Sequence, residues 1–572
     1  MRSKKLYVAF VWNQHQPYYL DTIQGEFIMP WVRLHASKDY YQMAAILEEY
    51  PRIRQTFSLS PSLLDQLQIY LQHQAVDYYL KVMKRAEELN EAEKKFILQH
   101  YFDIQWERVV SRYDRYHQLL KLQGFVTEPG AVARALQNYT TQDYLDLQVW
   151  FNLVWIDPEI REKDSFLRGL IEKGHNFTES EKDELMRRQF SILEKIIPLH
   201  SNLQQKGQIE IITTAYYHPI LPLLIDNHSA LRSSPGLPLP GRFRFKKDAE
   251  VQVRMAVEHY TQIFGRKPLG FWPPEQAISP ETIPIIVDQG LTWTTLDEQA
   301  LVKSIGADIY RDEYGHVLNP DLLYRPYLVS GEGAEIPVIF RDHNLSDRIG
   351  FVYKDMSGED AANDLIHRLH KIKEKLNHTA ENHLVTIALD GENAWEWYHG
   401  EKTEFLHALY SRLSVDPDLE TITVSDFLEK NPPQKKISHL ATGSWVDHSL
   451  TRWIGTPNKN KIWDYLLEAR ETIRVCQEKG FEVQKIEKAY ENIYQAEGSD
   501  FPWWVDSMPY YLAAPFEALF RKHLLNVYRD LDLEPPPYLH RPIIEPQEGE
   551  KKWEGSSLAG PVCIVPGWHK HC

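Results

Sequence analysis

"HLVTIALDGENAWEWY", residues 383–398, places Asp390 and Glu392 directly after a run of seven mostly apolar residues. A short apolar run of this kind predicts a buried strand. Acidic residues at the carboxyl end of such a strand are frequent at functional sites of α/β proteins, because ligands bind in the crevice outside the strand ends. The same position suits the N-cap of a helix that begins at Glu392. The local sequence leaves both interpretations open.

Other short apolar runs share this character and predict strands at 6–12, 209–217, 269–274, 291–296 and 336–341. Helical patterns lie between several of them, at 249–265 and 359–376. Alternating strands and helices predict a parallel sheet, and the length of the alternation favours a barrel over a small open sheet. The charged, helix-forming sequence from about 60 to 200 breaks the alternation, so we expect a helical insertion there.

The second part of the chain has a different character. NPPQKK at 431–436 resembles a linker, and it separates an α/β domain at 1–430 from a helical domain expected at 437–535. The remainder, 536–572, is rich in proline, and we expect an extended tail that runs over the surface.

Composition excludes several functional classes. A formal net charge of −16 argues against nucleic acid as a partner, because phosphate binding needs clustered Lys and Arg. No run of 18 apolar residues and no signal-peptide pattern is present, so no membrane association is expected. Cys476, Cys563 and Cys572 show neither zinc-ligand spacing nor a disulfide pattern, which favours a reducing, cytoplasmic location.

The chain is rich in large aromatic residues, with 16 Trp and 31 Tyr. Aromatic side chains fill large cores, and composition alone favours that explanation. They also suit ligands with an apolar face and a polar rim, such as sugar rings.

The predicted strands and their ends offer, in chain order, Asn13, His15, Gln16, Glu210, His218, Trp272, Glu275, Asp342, His343, Asp390 and Glu392. Parallel strands would bring these ends together in one pocket. Taken singly they have plain explanations: His15 as a core histidine, Glu275 as an acid near a helix N-terminus. An inward carboxylate at Glu210 is costly unless it is hydrogen-bonded or part of a site.

Two carboxylates from separate strands predict acid/base or nucleophilic work on a glycosidic bond, with one group protonated and the other ionised. Metal-dependent hydrolysis is the chemical rival, but the sequence has no HExxH and no CxxC. We therefore expect no metal in the site. The absence of GxGxxG and P-loop motifs gives nucleotide chemistry no support, so no cofactor is expected.

Five ordered segments resemble glycoside hydrolase family 57, which contains amylases, amylopullulanases, 4-α-glucanotransferases and branching enzymes. The segments are HQP at 15–17, GQIEI at 207–211, GFWPPE at 270–275, ALDGENAW at 388–395 and AEGSDFPWW at 496–504. The resemblance implies an incomplete (β/α)7 barrel, here with a helical insertion, followed by a C-terminal helical bundle that completes the cleft.

By position in these segments, the resemblance implies that Glu275 is the nucleophile and Asp390 the general acid/base. It implies substrate-binding roles for His15, Glu210, Trp272, Glu392, Trp395, Asp500, Trp503 and Trp504. Glu392, if it points into the same pocket, is expected to raise the proton affinity of Asp390 through like charge.

The implied function is a retaining glycoside hydrolase on α-1,4-linked glucans such as glycogen, starch or maltooligosaccharides, with α-1,6 activity left open. The alternative is a 4-α-glucanotransferase or branching enzyme with the same residues. Remoter alternatives are a metal-dependent carbohydrate deacetylase or mannosidase on a related barrel, and a glucan-binding protein without catalysis. The sequence does not predict the oligomeric state.

Overall fold

Seven parallel strands form a nearly closed barrel in the computed structural model, which describes residues 4–124, 130–392 and 395–546. The strands are β1 (Leu6–Gln14), β2 (Gln55–Leu59), β3 (Ile209–Ile212), β4 (Gly270–Phe271), β5 (Trp293–Asp297), β6 (Ala334–Arg341) and β7 (Leu384–Asp390). Each strand pairs with the next in chain order, and β7 returns to pair with β1. The predicted (β/α)7 barrel is therefore confirmed.

The strand pairs differ greatly in extent. β1 and β7 pair over seven positions, and the last of these sets Asn13 beside Asp390. In contrast, β3 meets β4 through a single bridge between Thr213 and Phe271. β6 meets β7 at one ladder position, between Arg341 and Thr386. The β1–β7 pair is thus the most extensive in the barrel, and the β3–β4 and β6–β7 pairs are the shortest. We call the boundary between two neighbouring strands a seam.

The six predicted strands are confirmed, although 209–217 shortens to Ile209–Ile212 and 269–274 to Gly270–Phe271. β2 was not predicted, because Gln55, Thr56 and Ser58 make it polar although every residue in it is buried. The interior supplies partners for such groups: Gln55 Oε1 accepts a hydrogen bond from Trp12 Nε1 at 2.9 Å.

Short strands and helices surround the barrel. Tyr327–Gly331 runs antiparallel to β6, and Lys435–Ile437 pairs in parallel with Tyr327–Gly331. Leu419–Thr421 pairs with the start of β1. A separate small sheet contains Leu20–Asp21, Glu26–Phe27 and Val76–Asp77. The predicted helices are confirmed at Lys246–Phe264 and Gly358–Leu376. Further helices pack here at Trp31–His35, Tyr41–Ala45, Leu221–Ile225, Ala230–Ser233, Thr282–Asp288, Glu298–Ile305, Pro320–Leu323, His343–Asp347, Lys402–Val415 and Val424–Lys430.

The stretch between β2 and β3 is helical, as the sequence predicted. Its helices are Pro61–Leu71, Tyr78–Lys81, Glu91–His100, Asp114–Gln123, Ala131–Asn138, Thr141–Val154, Pro158–Lys163, Ser165–Lys173 and Glu179–Gln205. Most of them surround a second hydrophobic core, separate from that of the barrel.

A buried network of charged residues joins the insertion to the barrel. Lys402, which is fully buried, binds Asp157 of the insertion at 2.6 Å and Asp39 at 3.1 Å. Lys38 pairs with Glu401, whose other oxygen lies 3.3 Å from Nη2 of Arg161 in the insertion.

Four helices form the C-terminal region: Pro457–Glu478, Val483–Ala496, Asp500–Trp504 and Tyr510–Asp530. The tail was expected to be extended from 536 onward, and its described part differs from that prediction. Pro537–His540 is a 3₁₀ turn, and Ile543 and Ile544 are buried. Burial of these apolar side chains stabilises the packed form over one spread on the surface. Residues 547–572, which include Cys563 and Cys572, lie outside the described part.

Candidate active site

Asp390 is the last residue of β7, at the rim of the barrel. Asn13, beside it on β1, donates a hydrogen bond from Nδ2 to Asp390 Oδ1 at 3.0 Å. No helix begins at Glu392, where the chain bends. Asp390 is therefore not the N-cap of such a helix; its carboxylate is held by the neighbouring strand instead.

Glu275 lies at the end of β4 in a strained turn. Its φ is 55° and that of Gln276 is 47°, a left-handed conformation that costs an ordinary residue about 1–3 kcal/mol. Pro273 and Pro274 precede it. Pro274–Gln276 is a short 3₁₀ turn in which Glu275 has non-helical φ and ψ, and the following α-helix begins only at Thr282, so Glu275 is not the N-terminal acid of that helix. Strain of this kind persists where the surrounding structure fixes the backbone, often at functional sites.

A loop beyond the barrel holds this turn. The backbone N–H of Trp445 donates to the carbonyl oxygen of Glu275 at 3.2 Å, and its indole Nε1–H donates to Glu275 Oε2 at 2.8 Å. An antiparallel bridge between Ile278 and Gly443 extends the contact. Both the backbone and the carboxylate of Glu275 are therefore fixed by Trp445.

The electrostatic surroundings of Glu275 pull in opposite directions. Burial and then the charge of Asp390 raise the pKa of Glu275 to about 8, and Asp500 contributes in the same sense. The hydrogen bond from Trp445 and the charge of Arg452 oppose this rise. The charge of Asp390 therefore disfavours a second negative charge on Glu275. Two carboxyl groups whose charges interact are a candidate pair for acid/base chemistry.

Glu392 is buried beside this pair. Its Oε1 accepts hydrogen bonds from the backbone N–H of His15 at 3.2 Å and from the Tyr40 hydroxyl at 3.1 Å. Burial and then the charge of Asp390 raise the pKa of Glu392 well above its usual range. The like charges of Glu392 and Asp390 thus interact, and the effect of Glu392 on the proton affinity of Asp390 stays a prediction.

The C-terminal helical region reaches the site through Asp500. Its Oδ2 lies 3.1 Å from His15 Nε2, and the His15 ring stacks on His218 with 3.8 Å between centroids. His218 Nδ1 in turn lies 3.1 Å from Ser499 Oγ. Burial and the neighbouring His15 lower the pKa of His218 well below its usual range, so its ring stays neutral. The structure thus brings His15, Asp500 and Glu392 together with the central pair.

The prediction that Trp272 and Trp395 contact the sugar is wrong. Trp272 is 0% exposed and lies inside the barrel, with its ring edge-on to Trp445 at 5.5 Å. Trp395 is 1% exposed; its Nε1 donates to the carbonyl oxygen of Gly391 at 2.6 Å, and its ring packs against Trp12. A sugar ring has no access to either face, because both rings are part of the core.

Trp503 and Trp504 are partly exposed. The guanidinium of Arg452 lies 4.3 Å from the ring centroid of Trp503, and Trp504 stacks on Phe516 at 4.5 Å. Their part in substrate binding stays a prediction.

Glu210 lies at the opposite end of the barrel interior. Its carboxylate accepts hydrogen bonds from Trp293 Nε1 at 3.1 Å and from the backbone N–H of Ser425 at 3.0 Å. Trp293 is the first residue of β5, whereas the pair lies where strands end. The predicted place of Glu210 beside the scissile bond is therefore wrong; its hydrogen bonds satisfy a buried carboxylate that would otherwise be costly.

Sequence reasoning missed Trp445, Arg452, Tyr40 and Arg341. Trp445 and Arg452 lie in the segment after 431–436, and neither has a spacing that marks it as part of a barrel site. Of these four, Arg341 is the one whose sequence position could have marked it as a site residue, because it is a charged residue at the end of a mostly apolar strand.

Potential metal ligands gather elsewhere. Among the described residues, Glu49, Glu159 and His407 are the group whose ligand atoms lie within 4.8 Å of one another, and Lys163 binds both carboxylates. The residues around Glu275 are not in that group. In the described ranges, no helix has the length and apolar character needed to cross a membrane.

Comparison with known proteins agrees with the barrel fold. The profile of Glycosyl hydrolase family 57 matches residues 9–439. An α-amylase of Pyrococcus horikoshii is 23% identical over 257 residues, and this chain spans about a third of its length: 44% of this chain aligns with 33% of the relative. Among solved structures, a branching enzyme of Thermococcus kodakaraensis has 16% identity and a TM-score of 0.58, covering 93% of this chain and 90% of its own. The α-amylase AmyC of Thermotoga maritima has 14% identity and a TM-score of 0.55, covering 98% of both chains. The chain therefore belongs to glycosyl hydrolase family 57, as its five ordered segments predicted.

Proposed function

We propose that this protein is a retaining glycoside hydrolase of α-1,4-linked glucans, with Glu275 as the nucleophile and Asp390 as the general acid/base. The observation that carries the proposal is the meeting of these two carboxylates at the rim of a family 57 barrel, where burial and then the charge of Asp390 raise the pKa of Glu275 to about 8. Glycosidic cleavage by double displacement needs two such carboxyl groups, one protonated and one ionised.

The proposed reaction has two displacements. Protonated Asp390 gives its proton to the glycosidic oxygen while ionised Glu275 attacks the anomeric carbon, so the leaving sugar departs as an alcohol and a covalent glycosyl-enzyme forms. Ionised Asp390 then takes a proton from water, whose oxygen attacks the same carbon and releases Glu275. If a sugar hydroxyl takes the place of water, the second step becomes transfer.

The surrounding residues support this assignment. Burial and the charge of Asp390 favour the protonated form of Glu275, whereas Trp445 and Arg452 favour the ionised form, which is the form that attacks. Glu392, held by His15 and Tyr40 through Oε1, lies buried beside the pair, and burial raises its pKa well above the usual range.

Incubation with maltooligosaccharides, glycogen and pullulan, followed by separation of products by chain length, tests the proposal. Shorter products with new reducing ends support hydrolysis. Redistribution of chain length without new reducing ends supports the 4-α-glucanotransferase alternative, and a gain of α-1,6 linkages supports a branching enzyme. Absence of any product from all three substrates overturns the proposal.

The roles are tested by Glu275→Gln, which should lower kcat by roughly 10³-fold or more, because the nucleophile is lost. The matched control is Glu281→Gln, which changes a carboxylate six positions away that pairs with Arg232 on the surface. Full activity of Glu275→Gln would exclude it as the nucleophile.

A further inference from the structure

The seam between β6 and β7 opens just before Asp390. Strand pairing ends at Thr386, whose carbonyl oxygen accepts from the backbone N–H of Asp342 at 2.8 Å. Two residues later, the backbone groups of Ala388 meet side chains instead: Ser346 Oγ accepts from its N–H at 3.1 Å, and Arg341 Nη1 donates to its carbonyl oxygen at 3.0 Å. Buried backbone groups need such partners, so Arg341 closes the seam where the ladder stops.

Arg341 is buried and reaches three parts of the rim. Besides Ala388 on β7, its Nε donates to Asp297 Oδ2, at the end of β5, at 2.6 Å. Its guanidinium carbon lies 5.1 Å from the ring centroid of Trp445, a cation–π contact. Arg341 therefore links the ends of β5 and β7 to the loop that holds Glu275.

This link joins the two proposed catalytic carboxylates. On one side, Arg341 fixes β7 two residues before Asp390. On the other, it supports the ring of Trp445, whose Nε1–H donates to Glu275 Oε2 at 2.8 Å. The separation of the two carboxyl groups decides whether double displacement is possible, and it is about 5–5.5 Å in retaining enzymes.

We propose that Arg341 is a positioning residue that sets the relative placement of Glu275 and Asp390, by clamping the β6–β7 seam and supporting Trp445. The inference rests on the proposed function and deepens it. Arg341 acts through other residues. A guanidinium suits this task because its planar, forked donors can bind two partners while a flat face stacks on an indole, and the ammonium of lysine cannot do all three.

Arg341→Lys tests the proposal, with Arg311→Lys as the matched control. Arg311 lies beside the same strands, where it binds Glu298 and Asp342, but it contacts neither Trp445 nor β7. On maltoheptaose, Arg341→Lys should lower kcat about 30-fold or more with KM changed less than about 3-fold, since small misplacement of reacting groups costs about 10²-fold. Arg311→Lys should stay within about 2-fold. Equal losses in both variants, or no loss in Arg341→Lys, would overturn the inference.

A double-mutant cycle tests the route through Trp445. If Arg341 acts partly through the indole, the losses from Arg341→Lys and Trp445→Phe should be less than additive in the double variant. Fully additive losses would show that the two residues act independently, which contradicts the proposed support. Asp297→Asn releases the clamp from its β5 end and replaces Arg341→Lys if the latter does not fold.

A readout that needs no turnover separates this inference from the proposed function. Carbodiimide labels protonated carboxyl groups, so the pH dependence of labelling at Glu275, followed by mass spectrometry, reports its protonation. The charged groups that face Glu275 are Asp390, Asp500 and Arg452. Loosening Trp445 should move the labelling midpoint upward in Arg341→Lys and leave it unchanged in Arg311→Lys. If the wild-type protein is inactive on glucans but Arg341→Lys shows the labelling shift, the proposed function is refuted and the inference is not. If the wild-type protein is active and Arg341→Lys shows neither the shift nor a kinetic loss, the inference is refuted and the proposed function is not.

Discussion

The indole N–H of Trp445 donates a hydrogen bond to Glu275 Oε2 across 2.8 Å, although 170 residues separate the two in the chain. The backbone of Trp445 also binds the carbonyl oxygen of Glu275. A loop outside the barrel thus orients the proposed nucleophile, while β4 contributes only a strained turn. These two hydrogen bonds explain how Glu275 can be kept in a left-handed backbone conformation.

Trp445→Phe should lower kcat/KM about 10- to 100-fold, because it removes the donor and keeps most of the ring. Loss of a hydrogen bond to a charged group costs about 1.5–3 kcal/mol. The remaining effects of burial and Asp390 should then raise the pKa of Glu275 above about 8. Steady-state kinetics over a pH series measures both changes. Trp150→Phe is the control, since its indole donates to the carbonyl oxygen of Gly174 in the insertion. Comparable losses in both variants would contradict a specific role for the Trp445 indole.

Asp390→Asn should lower the pKa of Glu275 from about 8, because it removes a negative charge that disfavours a second one. The pKa should not return fully to its usual value, since burial, the largest cause of the rise, remains. The pH dependence of carbodiimide labelling at Glu275 measures the change without requiring activity. An unchanged labelling midpoint would mean that the two carboxylates do not interact.

The sequence was sufficient for the barrel because apolar runs mark six of its seven strands. β2 escaped because the barrel interior accepts polar side chains when partners such as Trp12 are available, and those partners come from elsewhere in the chain. Asp390 and Glu275 could be marked as candidates because Asp390 ends a predicted strand and Glu275 follows another closely, and the catalytic roles that the family resemblance implies stay predictions.

The errors at the site have a common physical origin. Trp272 and Trp395 are aromatic residues in sequence segments that carry the site, but a linear pattern does not separate a ring that faces a ligand from one that fills the core beneath it. Conversely, Trp445 and Arg341 act through contacts between distant segments. The direction in which a side chain points across a closed sheet depends on its packing neighbours, which sequence spacing does not specify.

His343 should make stability decrease as the pH rises above neutrality. Burial opposes its charge, but hydrogen bonds to Asp297 at 2.9 Å and Asp347 at 3.0 Å outweigh this effect and raise its pKa to about 10. The folded pKa lies above the unfolded value of about 6.5, so the contribution is complete below pH 6.5 and is lost as the pH rises through about 10.

Urea unfolding of wild type and His343→Gln at pH 6, 8 and 10 measures this contribution. The difference in free energy of unfolding should be on the order of a few kcal/mol at pH 6 and should shrink toward pH 10. The comparison at pH 6 serves as the internal reference. A difference that stays constant across the series would show that His343 is not charged in the folded protein.

Lys402→Met should strongly destabilise the junction between the barrel and the insertion. The variant leaves the buried carboxylates of Asp39 and Asp157 without their ammonium partner, and removal of one member of a buried ion pair costs about 3–5 kcal/mol. Lys163→Met is the matched control: the Lys163 side chain is 62% exposed and pairs with Glu49 at the surface, so its loss should cost no more than about 1 kcal/mol. The midpoint of urea unfolding at pH 7 distinguishes the two variants. Equal midpoints would mean that solvent or rearranged neighbours neutralise the buried acids, and that Lys402 does not hold the insertion in place.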